Sequence, residues 1–115
     1  MRVIIAGSRH CCDDEIVELA VRDSNFDVTE VISGGCRGID SCAIRFASNN
    51  DIPLMKFNAL WHKYGRKAGP FRNEEMAEYG EALIAIPGPG SRGTYNMIHC
   101  MKRLNKPIYV YQIKE

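Results

Sequence analysis

The chain has no apolar stretch approaching the ~20 residues that a membrane-spanning helix needs, so no membrane partner is expected. It lacks an excess of either charge: 15 Lys and Arg stand against 14 Asp and Glu, a formal net charge of +1. Indiscriminate adhesion to nucleic acid or anionic lipid is therefore not expected. It lacks C-x-x-C pairs, and its cysteines number five, which is odd. That pattern argues against a disulfide framework and for free thiols in a reducing, cytoplasmic setting. There is no internal repeat and no low-complexity tract. The opening Met1-Arg-Val-Ile-Ile-Ala-Gly7 reads as a first strand and not as a secretory leader. At 115 residues, 45% of them hydrophobic, the chain is expected to form a single domain that buries its core without staples.

What is present is a recurring unit of apolar run, glycine turn and helical stripe. Ala82–Ile86 is a five-residue apolar run that stops at Pro87. Gly88-Pro-Gly-Ser-Arg-Gly93 follows, and from Thr94 the apolar positions Met97, Ile98, Met101 and Leu104 recur at helical spacing. This predicts strand, turn and helix, with unpaired N–H groups and the positive end of the helix dipole at the turn. Phosphate binds well to such an end.

Further strands are predicted at Val3–Ala6, Val28–Ile32, Pro53–Phe57 and Ile108–Tyr111. The first helix, capped by Asp13 or Asp14, carries Ile16, Leu19 and Ala20 inward. The second buries Ile39, Ala43, Phe46 and Ala47. A third starts with Pro70 at its first position and ends at Gly80, placed as a C-terminal cap. Asn58–Gly69 is expected to be an irregular connection. Alternating strands and helices imply an α/β, Rossmann-like, doubly wound parallel sheet of five strands with helices on both faces, in the order 3-2-1-4-5. Ligands of such folds sit beyond the carboxyl ends of the strands. The loops at that edge are Gly7–His10, Gly34–Gly38, Asn58–Gly69 and Pro87–Gly93.

The chemistry concentrates in those loops. Gly88, Gly90 and Gly93 spell G-x-G-x-x-G, but the dinucleotide fold needs an acid ~20 residues on, at the end of the next strand. That strand has no acid until Glu115, and the motif follows the fourth strand. What survives is phosphate cradling by Gly88, Gly90, Ser91, Arg92, Gly93 and Thr94. Gly34 and Gly35 permit positive φ and close approach, and Arg37 can fork onto phosphate or carboxylate. Asp40 either stabilises a helix start or accepts from a ribose hydroxyl. Gly7, Ser8 and Arg9 form the first loop, and Arg72 and Asn73 open the helix before the key strand. Arg66 and Lys67 lie in the long connection. Trp61 and Tyr64 either stack on a base or anchor that connection. Cys36 is a small filler or a reactive thiol. His10 adjoins Cys11 and Cys12, but adjacent cysteines face different ways; His99 and Cys100 lie within a helix. No metal and no cofactor is expected.

These motifs resemble the SLOG superfamily, the Rossmann-like group of DNA-processing protein A and the Lonely Guy phosphoribohydrolases. Val31-Ile-Ser-Gly-Gly-Cys-Arg-Gly-Ile-Asp40 is similar to the S-G-x-A-R-G-I-D stretch of the former, and Phe71-Arg-Asn73 to its arginine-asparagine step. Arg72 to Thr94 resembles the phosphoribohydrolase run of R-x-x-x-M, a strand and P-G-G-x-G-T. The short stand-alone SLOG proteins of bacteria and their phages combine G-S-R, S-G-G-x-R-G-x-D, A-G-P-x-R-N-x-x-M and S-R-G-T, as here. The resemblance implies binding of a nucleotide or a nucleotide-derived signal of the ADP-ribose type, as sensor or sequestering protein. It also implies pairing into a homodimer or higher homo-oligomer through helices flanking the sheet. The phosphoribohydrolases carry a catalytic glutamate at the position occupied here by Met97. The alternative, an N-glycoside or phosphoribosyl hydrolase, therefore rests on Arg72 with a relocated acid, Glu75 or Glu74. A further alternative is single-stranded DNA binding of the DNA-processing type.

Overall fold

A computed structural model describes residues 1–113; Glu115, the first acid after the last strand, lies outside them. One five-stranded parallel sheet, ordered β3-β2-β1-β4-β5, organises the chain. Its strands are β1 (Arg2–Gly7), β2 (Glu30–Ser33), β3 (Leu54–Lys56), β4 (Ala82–Ile86) and β5 (Ile108–Val110). Between them run α1 (Asp14–Ser24), α2 (Ile39–Asn49), α3 (Trp61–Tyr64), α4 (Ala68–Tyr79) and α5 (Arg92–Arg103).

The pleat sorts each central strand into two half-cores. Val3 and Ile5 of β1, with Val31, Ile84 and Ile86, pack against Val17 and Ala20 of α1 and Ile39, Cys42, Ala43 and Ala47 of α2. Ile4, Ala6, Ile32, Leu83 and Ala85 point the other way, onto Met76 and Ala77 of α4 and Met97, Ile98, Cys100 and Met101 of α5. A central strand covered on both faces must be continuously apolar, which is why β1 and β4 read as unbroken runs. Each fully buried Ile or Leu here contributes about 1.5–3 kcal/mol relative to an exposed one. Chain order reverses between β1 and β4, whose registers pair Val3 with Ala82 through Gly7 with Ile86. Their carboxyl ends form the switch point at which doubly wound sheets open a crevice.

Several local expectations are corrected. The connection 58–69 is irregular only over its first three residues: from Trp61, α3 is followed by a 3-10 turn over Gly65–Lys67 that leads straight into α4. Pro70 is consequently the third residue of α4, a position whose nitrogen needs no partner. Gly80 does terminate α4, but in extended backbone (φ −75, ψ 154) and not as a left-handed cap. Glycine leaves room there for the core: a Cβ would lie 2.8 Å from Ile4 Cδ1 and 3.1 Å from the Met76 carbonyl oxygen. The terminal carbonyls of α4 are satisfied instead by Lys106, whose Nζ donates to the carbonyls of Ala77 (2.6 Å), Glu78 (3.0 Å) and Gly80 (2.8 Å). In α1 the buried side chains are Val17 and Ala20, with Ile16 and Leu19 only half-buried. Leu104 follows the end of α5 and is exposed. The turns at the amino edge place Asn25, Asp51 and Asn105 in left-handed backbone, a conformation Asn and Asp tolerate better than most residues.

Candidate functional site

Beyond the carboxyl ends of β1 and β4 lies a cleft of about 350 Å³. Gly7, Arg9 and His10 come from the loop after β1, and Cys36, Arg37 and Asp40 from the loop after β2 and the start of α2. Arg72, Asn73 and Met76 enter from α4, and residues 89–94 with Met97 from the turn after β4 and from α5. Turns distant in sequence thus reach one rim because all follow parallel strands of the same sheet.

Two loops are locked together by close packing. Gly7 has no room for a side chain: a Cβ would sit 2.4 Å from the carbonyl oxygen of Ile86. A Cβ on Gly38 (φ 79) would meet the Ser8 carbonyl oxygen at 2.2 Å. That same oxygen accepts the Ile39 N–H at 2.9 Å, while Ser8 donates its own N–H to Ile86. Ser8 Oγ accepts from the His10 N–H at 3.1 Å, so Ser8 braces the loop from behind the cleft. Gly34 and Gly88 play similar supporting parts. A Cβ on Gly34 would lie 2.9 Å from Arg72 Nη1, and one on Gly88 3.0 Å from Ser8 Oγ. Of the pair Gly34–Gly35 only Gly35 has a positive φ, 73. Ser8, Gly34, Gly35 and Gly88 therefore shape the cleft from outside its lining, whereas the other expected binding residues line it.

Arg72 is the one buried arginine of the lining, at 7% exposure within α4; Arg9, Arg37 and Arg92 are exposed. Its Nη1 donates to the Gly34 carbonyl at 2.9 Å and to Cys36 Sγ at 3.6 Å; its Nε donates to Asn73 Oδ1 at 3.3 Å. Among the described residues its Nη2 has no hydrogen-bond acceptor. Asn73 spends its amide on structure, donating to the Gly93 carbonyl at 3.2 Å and Asn96 Oδ1 at 2.8 Å. It pins α4 to the first turn of α5. Arg9, Arg37, Arg72 and Arg92 all line the cleft, and none lies within ion-pair distance of a carboxylate among the described residues.

Among the described residues Asp40 is the single carboxylate in the lining. Its Oδ2 accepts the Cys36 N–H at 3.1 Å, closing the loop after β2. Burial drives its pKa up, partly opposed by that backbone N–H and by the positive charge of Arg72. Across the cleft, the turn after β4 is held by Ser91, whose Oγ accepts the Gly88 N–H at 2.8 Å. The carbonyl of Ser91 takes the Tyr95 N–H. This leaves the N–H groups of Gly93 and Thr94 with no acceptor among the described residues, at the amino end of a twelve-residue helix. Gly90 and Gly93 both face open space.

Other expected residues lie elsewhere. Trp61 and Tyr64 are absent from the lining, and the second of their two readings, anchoring, describes their contacts. Tyr64 packs edge-on against Phe71 with centroids 4.9 Å apart, and Trp61 lies over Gly69. Arg66 and Lys67 are exposed outside the cleft. Glu75, the candidate acid, is exposed on α4 and does not line it, and Glu74 faces Arg103 at 3.8 Å. Conversely, His10 and Met76 line the cleft without having been singled out as ligand contacts. Met76 follows from helical geometry, since it lies one turn after Arg72.

A family described as YAcAr, the YspA, cpYpsA-related SLOG family, matches residues 1–64. The chain is also 35% identical over 115 residues to the Gene 61 protein of Mycobacterium phage D29, covering 91% of this chain and 89% of that protein.

Proposed function

Because the chain belongs to the YspA, cpYpsA-related SLOG family, we propose that it is a single-domain module binding a nucleotide or nucleotide-derived phosphorylated molecule of the ADP-ribose type. It acts as sensor or sequestering protein and holds its ligand without turning it over. The observation that carries this reading is the set of four arginines around one cleft, against a single lining carboxylate, Asp40, with none of the four in ion-pair contact with a carboxylate among the described residues. A guanidinium as buried as that of Arg72, in ion-pair contact with none of the described carboxylates and opposed only by the nearby charge of Asp40, is costly without a further counter-charge. The N–H groups of Gly93 and Thr94 add donors at a helix amino end, where phosphate is favoured. Gly93 supports the same reading. It sits in the first turn of α5, where nothing among the described residues crowds it, and glycine is among the poorer helix formers. Close approach of a phosphate to the backbone explains its presence.

Holding without turnover rests on Met97, which lines the cleft and stands where the resemblance places the phosphoribohydrolase glutamate, and on Asp40 being the only carboxylate of the lining among the described residues. We propose a cytoplasmic setting, in keeping with the five free cysteines. Among the described residues no helix is long and apolar enough to cross a membrane. We further propose a homo-oligomer, to which the exposed Leu54 and Met55 on the short edge strand β3 can contribute; light scattering on the purified protein measures it.

A thermal-shift panel of nucleoside mono- and diphosphates, ADP-ribose and oligonucleotides tests the reading. A ligand at ~100-fold above its dissociation constant adds about 2.7 kcal/mol to stability. The reading predicts such a shift with a phosphorylated nucleoside, lost in Arg72→Ala. Absence of any nucleotide shift, together with a silent Arg72→Ala, overturns it. Release of free base would favour the hydrolase instead, and oligonucleotide binding that falls steeply with salt the DNA reading.

A further inference from the structure

Away from the cleft's floor, on the α1–α2 side of the sheet, Cys12 and Cys42 face each other with their sulfurs 3.2 Å apart. Cys12 is exposed in the loop after β1, and Cys42 is buried on α2. Their neighbour Cys11 turns inward against the core, so the two adjacent cysteines do face different ways. Arg45, one turn along α2 from Cys42, reaches over the pair. Its Nη2 donates to Cys12 Sγ at 2.9 Å and Cys42 Sγ at 3.1 Å, while its Nε bonds Asp14 Oδ1 at 3.1 Å. The Cys42 thiol also donates to Cys12 Sγ. The sulfur of Cys12 thus accepts from a guanidinium and from a thiol, an arrangement that favours its thiolate. Those two hydrogen bonds, from Arg45 first, lower the Cys12 pKa; burial, then hydrogen bonds to Cys12 and Asp14, push that of Cys42 up to about 12.

We propose that Cys12 and Cys42 form a reversible dithiol–disulfide site, in which the exposed Cys12 thiolate is oxidised by a hydroperoxide and the buried Cys42 resolves it. Cys12 sulfur attacks one oxygen of the peroxide, the O–O bond breaks, and hydroxide or alkoxide leaves. Cys12 becomes a sulfenic acid. The sulfur of Cys42 then attacks that of Cys12; an S–S bond forms, the S–O bond breaks, and the hydroxyl departs with the Cys42 proton as water. Two thiols are oxidised and one peroxide is reduced. A small thiol reductant reverses the bond by exchange at the exposed Cys12. The loop that would be fastened to α2 is the one that carries Arg9 and His10 to the cleft.

The test treats the reduced, full-length protein with hydrogen peroxide and reads intact mass and tryptic peptides. The site predicts loss of two hydrogens and a linkage between the peptides His10–Arg22 and Gly38–Arg45, both reversed by dithiothreitol. Cys11→Ser should retain the linkage and Cys12→Ser abolish it. Cys42→Ala should leave a sulfenic acid at Cys12 that dimedone captures. Arg45 is a positioning residue, so Arg45→Gln should move the pH midpoint of the Cys12 oxidation rate upward, which a merely structural role would not do. Linkage persisting in Cys12→Ser, a linkage through Cys11 or Cys36, or oxidation of Cys12 with no linkage in the unaltered chain overturns the proposal.

Discussion

Arg72 Nη1 donates to the carbonyl oxygen of Gly34 at 2.9 Å, a bond that joins α4 to the loop after β2 across 38 positions of sequence. It holds a buried cation at the junction of the two walls of the cleft. Replacing it with alanine leaves that carbonyl and Asn73 Oδ1 without their donor. Arg72→Ala is expected to lower unfolding free energy by about 1–3 kcal/mol and to remove the nucleotide-induced thermal shift. Chemical denaturation with and without nucleotide measures both.

Gly93→Ala is expected to separate folding from binding. The residue is helical and faces open space, so the substitution should raise stability by up to about 1 kcal/mol. The same methyl stands where a phosphate must approach the α5 amide groups, so nucleotide binding should weaken at least tenfold. Melting temperature rises while titration calorimetry loses its signal. A variant that binds as well as the parent sinks the phosphate-cradle reading.

Asp40 gives the cleft a pH dependence. Its folded pKa lies above the value of about 3.9 for a free aspartate. The stability linked to that shift is therefore fully present below the unfolded value and is lost as pH rises through the folded one. Anion binding should follow the same direction, tightening as Asp40 gains its proton. Asp40→Asn keeps an acceptor for the Cys36 N–H and removes the titration. The difference between the parent's and the variant's stability profiles should fall across that window and flatten above it, as read by urea denaturation at successive pH values.

Lys106→Met should destabilise without touching the cleft. Three carbonyls at the end of α4 lose a charge-assisted donor, at a cost of about 1–3 kcal/mol. Nucleotide affinity, measured well below the melting temperature, should be unchanged.

The strand order and the convergence of three loops were legible because they follow from rules acting on pattern. Continuous apolar runs such as Val3–Ala6 imply two-sided burial, and alternation of strands with helices leaves few topologies. The roles of single glycines were not legible. Gly7 and Gly38 are packing glycines and Gly93 is not, a distinction that depends on the distance to Ile86 and Ser8 and has no local signature. The helical content of the long connection has no clear local signature, since α3 is only four residues long and Gly65 (φ 57) joins it to a 3-10 turn. Lys106 illustrates the same limit, since a lysine beside a proline reads as an ordinary turn until α4 is folded against it. The Cys12–Cys42 pair spans 30 positions and carries no spacing motif.

The tight seat of Gly38 against Ser8 has an effect on how the protein could adapt to guests of different size. The loops after β1 and β2 interlock without space for one more methyl group, so they form an unyielding jaw. Among the described residues nothing crowds the opposite jaw, at Gly90 and Gly93. Malleability is thereby assigned to one side alone, and variation in what the cleft accepts should be written into residues 91–94 before it touches the rest of the rim, since Gly88 packs on Ser8 and Gly90 has a positive φ of 71.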